Sequence, residues 1–129
     1  MNRKPLFFQI ERDGFKVEAL CHQMGSDYLV SIWGGEAHIG AVAMAQSRDS
    51  LQDSSKRSAT ASVFCYVGHK EDQLVKEVSE QMASALDAKV TVAAGMQWDN
   101  LPPEGIVKIT GNVNLLVAEI IEALGEDSA

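Results

Sequence analysis

Hydrophobic and polar residues alternate along the first half of the chain in the pattern of β-strands. Apolar positions recur at every second residue in short runs that turns or polar stretches separate. Five strands are predicted, spanning Leu6–Glu11, Phe15–Cys21, Tyr28–Trp33, Gly40–Ala45 and Ala59–Val67. The polar stretch from 46 to 58 lacks any periodicity and predicts a long hairpin loop.

The period changes from two to between three and four after residue 70. The first predicted helix carries Leu74, Val75, Val78, Met82 and Leu86 on one face. A last strand, Lys89–Ala94, precedes a second helix that begins near Pro103 and stays amphipathic to Leu124. The order β-β-β-β-β-α-β-α predicts an α/β (α+β) sandwich, with a largely antiparallel sheet of about six strands and two helices on one face.

Length and charge narrow the possible functions. The 129 residues, 46% of them hydrophobic, suffice for one core, so we expect a single domain over residues 1–129. The formal net charge is −7, which argues against nucleic acid as a partner. The absence of a long apolar run argues against a membrane span and, with the polar start at residues 1–5, favours a cytoplasmic protein. Cys21 and Cys65 lie in apolar strands, so we expect reduced core thiols.

Three clusters of glycine and polar side chains carry most of the chemical information. They span Gly34–Gly40, Gly68–Asp72 and Ala94–Asn100, and each follows an apolar strand. Ligand sites commonly form where strand ends and loops converge. We therefore expect the three clusters to border one pocket.

Each cluster by itself has a functional and a structural interpretation. Gly34 and Gly35 would let the backbone approach a ligand, and His38 could hydrogen-bond this ligand or hold a metal. Alternatively, the glycine pair forms only a turn and His38 is a surface residue. His69, Lys70, Glu71 and Asp72 stand at a helix N-terminus that could bind phosphate, directly or through a divalent cation, or that is merely capped.

In the third cluster, Trp98 could stack on a ligand ring or lie in the core, and Asp99 and Asn100 could cap the second helix. The sequence contains no nucleophile elbow, P-loop, dinucleotide motif or His-x-x-x-His pair. A binding module therefore fits better than an enzyme.

The chain resembles the small prenylated-flavin chaperones found with gallate-type hydroxybenzoate decarboxylases. The resemblance covers residues 15–124 and rests on three ordered blocks: Gly34-Gly35 with His38 to Ala43, Gly68 to Asp72, and Ala94-Gly95 with Asp99-Asn100. The resemblance implies a non-catalytic protein that holds prenylated FMN, or FMN, and delivers it to a prenylated-flavin-dependent decarboxylase. A flavin prenyltransferase would supply this cofactor.

A carrier for this cofactor needs an apolar slot for the ring and an anchor for the phosphate, and residues of the three clusters could supply both. Trp33, Ile39 and Trp98 would line a slot for the ring. His69, Lys70 and the amides of Gly34, Gly35, Gly40 and Gly68 would anchor the phosphate, with a cation held by Glu71 or Asp72 as an option. His38 or Asp99 would address the polar edge of the ring. The chain departs from many relatives at Gln97, where they have histidine, although Gln97 could still bind a flavin edge.

Two other functions stay open at this point. One is a metal-assisted hydrolase or isomerase that uses His38, His69, Glu71, Asp72 and Asp99. The other is a structural subunit that docks on a decarboxylase through the last helix, at Val113 or Val117.

We also expect a homo-oligomer, because two helices cannot cover both faces of the sheet. The residues expected on the uncovered face are Phe7, Phe15, Val17, Val42 and Phe64.

Overall fold

The computed structural model describes residues 4–128, with the backbone alone for residues 126–128. Residues 1–3, part of the N-terminal segment considered above, lie outside this range. The elements are β1 (Leu6–Arg12), β2 (Phe15–Met24), β3 (Asp27–Gly35), β4 (Ala41–Asp49), β5 (Arg57–Cys65), α1 (Asp72–Leu86), β6 (Lys89–Gln97) and α2 (Pro103–Ser128). The predicted order and fold class are confirmed.

One mixed sheet contains all six strands in the order β1-β2-β3-β6-β4-β5. Neighbouring strands are antiparallel, except that β6 inserts parallel to β3. Because β3, β6 and β5 end, and β4 begins, at the same edge of the sheet, the connections that follow these strands meet there. We call this edge the site edge.

Both helices pack on one face of the sheet. Helix α1 covers β4, β5 and β6, and α2 covers β1 and β2. The apolar face predicted for α2 is buried at Ile109, Val113, Leu116, Val117, Ile120 and Leu124. Each such side chain removed from water stabilises the fold by roughly 1.5–3 kcal/mol, which offsets the low helix propensity of Gly105 and Gly111.

The strands β4 and β5 extend further than their apolar pattern indicates. Their pairing continues through Gln46 opposite Thr60 to Asp49 opposite Arg57, so the predicted long loop shrinks to residues 50–56. Backbone hydrogen bonds support this extension without apolar side chains. The Arg57 side chain also donates to the backbone carbonyls of Ser84 and Ala85, near the C-terminus of α1.

The opposite face of the sheet, which we call the open face, carries no helix among the described residues. Its exposed apolar side chains are Phe7, Leu20, Leu29, Met44 and Phe64. The prediction that Phe15 and Val17 also lie there is wrong: Val17 is fully buried, and Phe15 packs against the core. Alternation along β2 turns these two residues toward α2 and leaves Leu20 outside. No helix in the described part of the chain is long and apolar enough to cross a membrane.

Candidate functional site

The three polar clusters converge at the site edge. The β3–β4 connection crosses the end of β6, where the Gly40 N–H donates to the Ala94 carbonyl at 2.9 Å and the Glu36 N–H to the Gln97 carbonyl at 2.8 Å. The crossing requires glycine at position 95, since a Cβ there would lie 1.8 Å from the His38 carbonyl oxygen. This close approach brings the first and third clusters together.

The glycine pair serves the fold in a way that the sequence did not reveal. A Cβ on Gly34 would lie 2.6 Å from the Trp98 indole, and Gly35 has a φ of 59°. Trp98 also meets the Phe15 ring edge-on, with centroids 5.5 Å apart. The space that we expected a ligand to use is therefore occupied by Trp98 itself.

His38, His69 and Glu71 form one compact group beside this crossing. A possible ligand atom from each residue lies within 4.8 Å of those from the other two. The His38 Nε2 is 3.2 Å from the Glu71 Oε1, and the two imidazole centroids are 4.7 Å apart. All three residues are partly buried. We call this group the His-His-Glu cluster.

Backbone groups orient both ends of the His38–Glu71 contact. The His38 Nδ1 lies 3.1 Å from the Glu36 carbonyl oxygen, an acceptor, so this bond requires the proton on Nδ1. The Glu71 carboxylate accepts from the Lys70 N–H at 3.1 Å and from the Met96 N–H at 3.4 Å. It also lies where a Cβ on Gly40 would be, at 2.2 Å. Gly40 therefore makes room for a carboxylate of this same chain.

The remaining acids of the predicted hydrolase site do not join this group. Asp72 in the first turn of α1 and Asp99 in the turn before α2 are both exposed. Within the described residues, the cluster that could hold a metal contains only His38, His69 and Glu71. The structure thus assembles three of the five side chains that the hydrolase interpretation needs.

A large groove opens between α1 and α2 on the helix side of the sheet. Its volume is about 800 Å³. Lys70, Glu71 and Gln97 border it at the site edge, and its apolar walls include Leu74, Val78, Met96, Trp98, Leu101, Ile106 and Ile109. Of these apolar residues, only Trp98 was predicted from the sequence as a site residue, because the helical spacing of residues such as Leu74 and Ile109 is equally typical of a core face. We call this cavity the helix groove.

A second, smaller cavity lies on the open face. It has a volume of about 330 Å³ and is lined by Trp33, His38 and Ile39 together with Ser31, Ile32, Ala37 and Ala93. The single slot expected for Trp33, Ile39 and Trp98 is therefore two cavities on opposite faces of the sheet. The alternation of side chains along β3 and β6 separates them.

Gly68 has a φ of 81° in an exposed turn with open space around it, so its place is explained by the turn. Both cysteines are free, and burial raises the pKa of Cys21 to about 11. Cys65 is only partly buried and donates its S–H to the His69 carbonyl oxygen at 3.1 Å.

The residues predicted to form a docking surface on α2 are wrong. Val113 and Val117 are 2% and 1% exposed, and the helix packs them inward. Its exposed apolar residues are Ile106, Val107 and Leu115.

Comparison with known proteins identifies the family. The family model described as the prenylated flavin chaperone LpdD-like domain matches residues 11–125. The chain therefore belongs to the LpdD-like family of prenylated flavin chaperones, as its three polar blocks suggest. No curated protein matches the sequence.

A solved structure shares the fold. It is a chain from the crystal structure of a chaperone complex for yeast 20S proteasome assembly, 11% identical, with 98% of each chain covered and a TM-score of 0.54. At this identity the likeness concerns the fold alone.

Proposed function

We propose that the protein binds prenylated FMN in the helix groove and delivers it to a prenylated-flavin-dependent aromatic-acid decarboxylase in the cytoplasm. The observation that carries this proposal is the groove itself, about 800 Å³, whose walls combine eight apolar residues with polar residues from both helices and from the site edge. This volume lies within the usual range of small-molecule sites. Membership of a prenylated flavin chaperone family supports the choice of ligand.

The walls of the groove suit a flat, largely apolar ring system. Trp98 and Met96 contribute an indole and a thioether, and Leu101 adds an aliphatic surface beside them. Aromatic and thioether groups pack well against conjugated rings. A ring held there would be shielded from water on the side of the sheet, which protects an easily oxidised cofactor. The protein itself needs no catalytic group for this role.

The end of the groove at the site edge is less well suited to a phosphate than the walls are to the ring. Lys70 borders the groove directly before α1, whose first backbone N–H groups have no partner within the helix. Glu71 and Glu77 border the same groove and oppose an anion. Lys70 is the single cationic side chain among the lining residues. We expect a modest affinity, as a carrier that must release its cargo requires.

We also propose that two copies pair through their open faces. Phe64 and Met44 on that face are 63% and 62% exposed, and Phe7 is 53% exposed. Met44 and Phe64 lie on the adjacent strands β4 and β5, and exposed apolar residues that cluster in this way mark interfaces between proteins. A second copy presents the same surface and can cover it symmetrically. The helix groove lies on the other side of the sheet and stays open in such a dimer.

The flavin proposal is tested by anaerobic titration of the purified protein with reduced prenylated FMN and with FMN, followed by absorbance and fluorescence. Saturable binding of the prenylated form is expected. Lys70→Ala should weaken it about tenfold, while Lys76→Ala, which removes an exposed α1 lysine paired with Glu80, should leave it unchanged. Absence of binding by either flavin would contradict the proposal.

A matched pair of substitutions locates the cavity. Thr110 lines the helix groove and Ile39 lines the cavity on the open face, and both side chains are exposed. Thr110→Trp should weaken flavin binding at least tenfold, and Ile39→Trp should not. The reverse result would move the flavin to the open face.

Delivery is a separate measurement. The apo decarboxylase should gain activity faster from the flavin-loaded protein than from the same amount of free prenylated FMN. Equal rates would contradict a carrier role, even if the flavin binds.

A further inference from the structure

In the His-His-Glu cluster, two hydrogen-bond acceptors face each other, the His38 Nε2 and the Glu71 Oε1. The bond to the Glu36 carbonyl requires the His38 proton on Nδ1, so in the neutral ring Nε2 carries a lone pair. That nitrogen lies 3.2 Å from the Glu71 Oε1, which is itself an acceptor. Two acceptors at this distance need a proton or a cation between them.

The arrangement of His38 is the one common to metal-binding histidines. In such sites one ring nitrogen donates to a backbone carbonyl or carboxylate, which fixes the tautomer, and the other nitrogen binds the metal. His69 adds a second imidazole, with its ring centroid 4.7 Å from that of His38. Glu71 adds a carboxylate that two backbone N–H groups hold in place.

The backbone around the cluster is built for close approach. A Cβ would lie 2.2 Å from the Glu71 carboxylate at Gly40 and 1.8 Å from the His38 carbonyl oxygen at Gly95. These two glycines place the imidazole and the carboxylate together from segments 33 residues apart in sequence. This is a second observation, independent of the ligand types, that the pair is positioned by the fold.

We propose that His38, His69 and Glu71 bind one divalent transition-metal ion, with Zn²⁺ as its simplest representative. Two imidazoles and one carboxylate suit zinc and its first-row neighbours, whereas Mg²⁺ and Ca²⁺ prefer oxygen ligands. Ligand atoms bound to zinc are about 3.4 Å apart in a tetrahedral site. A small rotation of the partly buried His69 closes the present spacing, which is within 4.8 Å. The fourth position remains for water or an added ligand.

This site differs from the cation expected from the sequence. Glu71 and Asp72 were assigned a hard cation that bridges a phosphate, but Asp72 is exposed and outside the cluster. The proposal does not depend on flavin binding, because the three ligands lie together in the protein without it, although Glu71 also borders the helix groove.

The test is titration of chelator-treated protein with Zn²⁺ by calorimetry and with Co²⁺ by visible absorbance, in the absence of flavin. One ion per chain is expected, with Co²⁺ absorption bands of a four- or five-coordinate site and no binding of Mg²⁺. The chain has three histidines, and the third, His22, is exposed on β2 and supplies the matched control.

His38→Gln and His69→Gln should each weaken Zn²⁺ binding at least tenfold, and His22→Gln should leave it unchanged. Thermal melting of each variant without metal checks that the fold is retained, and Zn²⁺ should raise the Tm of the parent and of His22→Gln only. Undetectable binding at millimolar Zn²⁺, or binding that all three variants retain, would overturn the proposal.

Discussion

The indole of Trp98 lies where a side chain on Gly34 would stand. A Cβ at position 34 would be 2.6 Å from the Trp98 Cη2 and 2.9 Å from the Lys16 carbonyl oxygen. The Trp98 ring is held edge-on against Phe15, and the Lys16 carbonyl belongs to the backbone of β2. Neither moves freely, so this glycine couples the end of β3 to the loop before α2.

Gly34→Ala should therefore destabilise the protein by about 2–4 kcal/mol, because the methyl group forces Trp98 or the β2 backbone to shift. Urea unfolding followed by circular dichroism measures the change, and tryptophan fluorescence, recorded in a Trp33→Phe background, should report the displacement of Trp98. A loss below 0.5 kcal/mol, with roughly unchanged fluorescence, would show that Trp98 is not fixed there.

Gly111→Ala is the same chemical change in an opposite setting. Gly111 lies within α2, is exposed, and has no atom near the position of an added Cβ. Alanine should stabilise the protein by up to about 1 kcal/mol through its higher helix propensity. Urea unfolding measures this change in the free energy of unfolding. A destabilised variant would mean that another part of the protein lies close to α2 at this position.

Asn112 should be a strong contributor to stability. Its side-chain amide is buried and donates to the Arg12 carbonyl at 3.0 Å and to the Phe15 carbonyl at 2.9 Å, which ties α2 to the β1–β2 hairpin. Asn112→Ala leaves both carbonyls without this donor and should cost about 2–3 kcal/mol. Asn114→Ala, at an exposed position on the same helix, should change the free energy of unfolding by less than about 0.5 kcal/mol. Equal losses of stability at the two positions would contradict the proposed role of Asn112 in joining α2 to the β1–β2 hairpin.

Stability should fall in alkali because of Cys21. Burial raises the pKa of this thiol from 9.0 to about 11, so above pH 9 the unfolded chain releases its proton while the folded chain keeps it. The free energy of unfolding then decreases between pH 9 and 11, by up to about 2–3 kcal/mol from this one group. Cys21→Ala should remove that part of the slope, although it lowers stability at neutral pH. Parallel pH profiles of the parent and the variant would show that the thiol is not responsible.

Charge on the open face should break the proposed dimer. Met44 is 62% exposed on β4, so Met44→Glu places a carboxylate within the expected interface without disturbing the core. The parent should sediment as a dimer and the variant as a monomer. Ser54→Glu in the exposed β4–β5 loop is the control and should remain dimeric. A monomeric parent would contradict the pairing.

Most of the fold was predictable because each element carries its own periodic signal. The alternation in β2 and β3 and the spacing of Val75, Val78 and Met82 in α1 gave the correct element types. The predicted strand ends were wrong, and the strand neighbours could not be predicted, where the local sequence carries no periodic signal. Pairing of Asp49 with Arg57 extends two strands through a polar stretch, and the neighbour relationship of β6 with β3 and β4 depends on contacts remote in sequence.

The sequence predicted that the three polar clusters meet, but not how their side chains are arranged. Clusters at strand ends correctly pointed to one edge of the sheet. Their division between two cavities was not foreseen, because it depends on which face each side chain takes at the end of β3 and β6. Trp33 and Trp98 thus lie in different cavities. The apolar walls of the helix groove could not be told from core residues by spacing.

The sequence by itself determined the order of strands and helices, the amphipathic faces that make the core, and the three polar blocks that mark the family. These are local properties, set by the spacing of apolar residues and by the identity of short motifs. Only the tertiary structure decided that Glu71 meets His38 and that Trp98 covers Gly34. The first contact depends on the insertion of β6 between β3 and β4, because the β3–β4 connection must then cross β6 where glycine alone leaves room. The second contact depends on the pairing of β6 with β3, which places the residue after Gln97 beside Gly34.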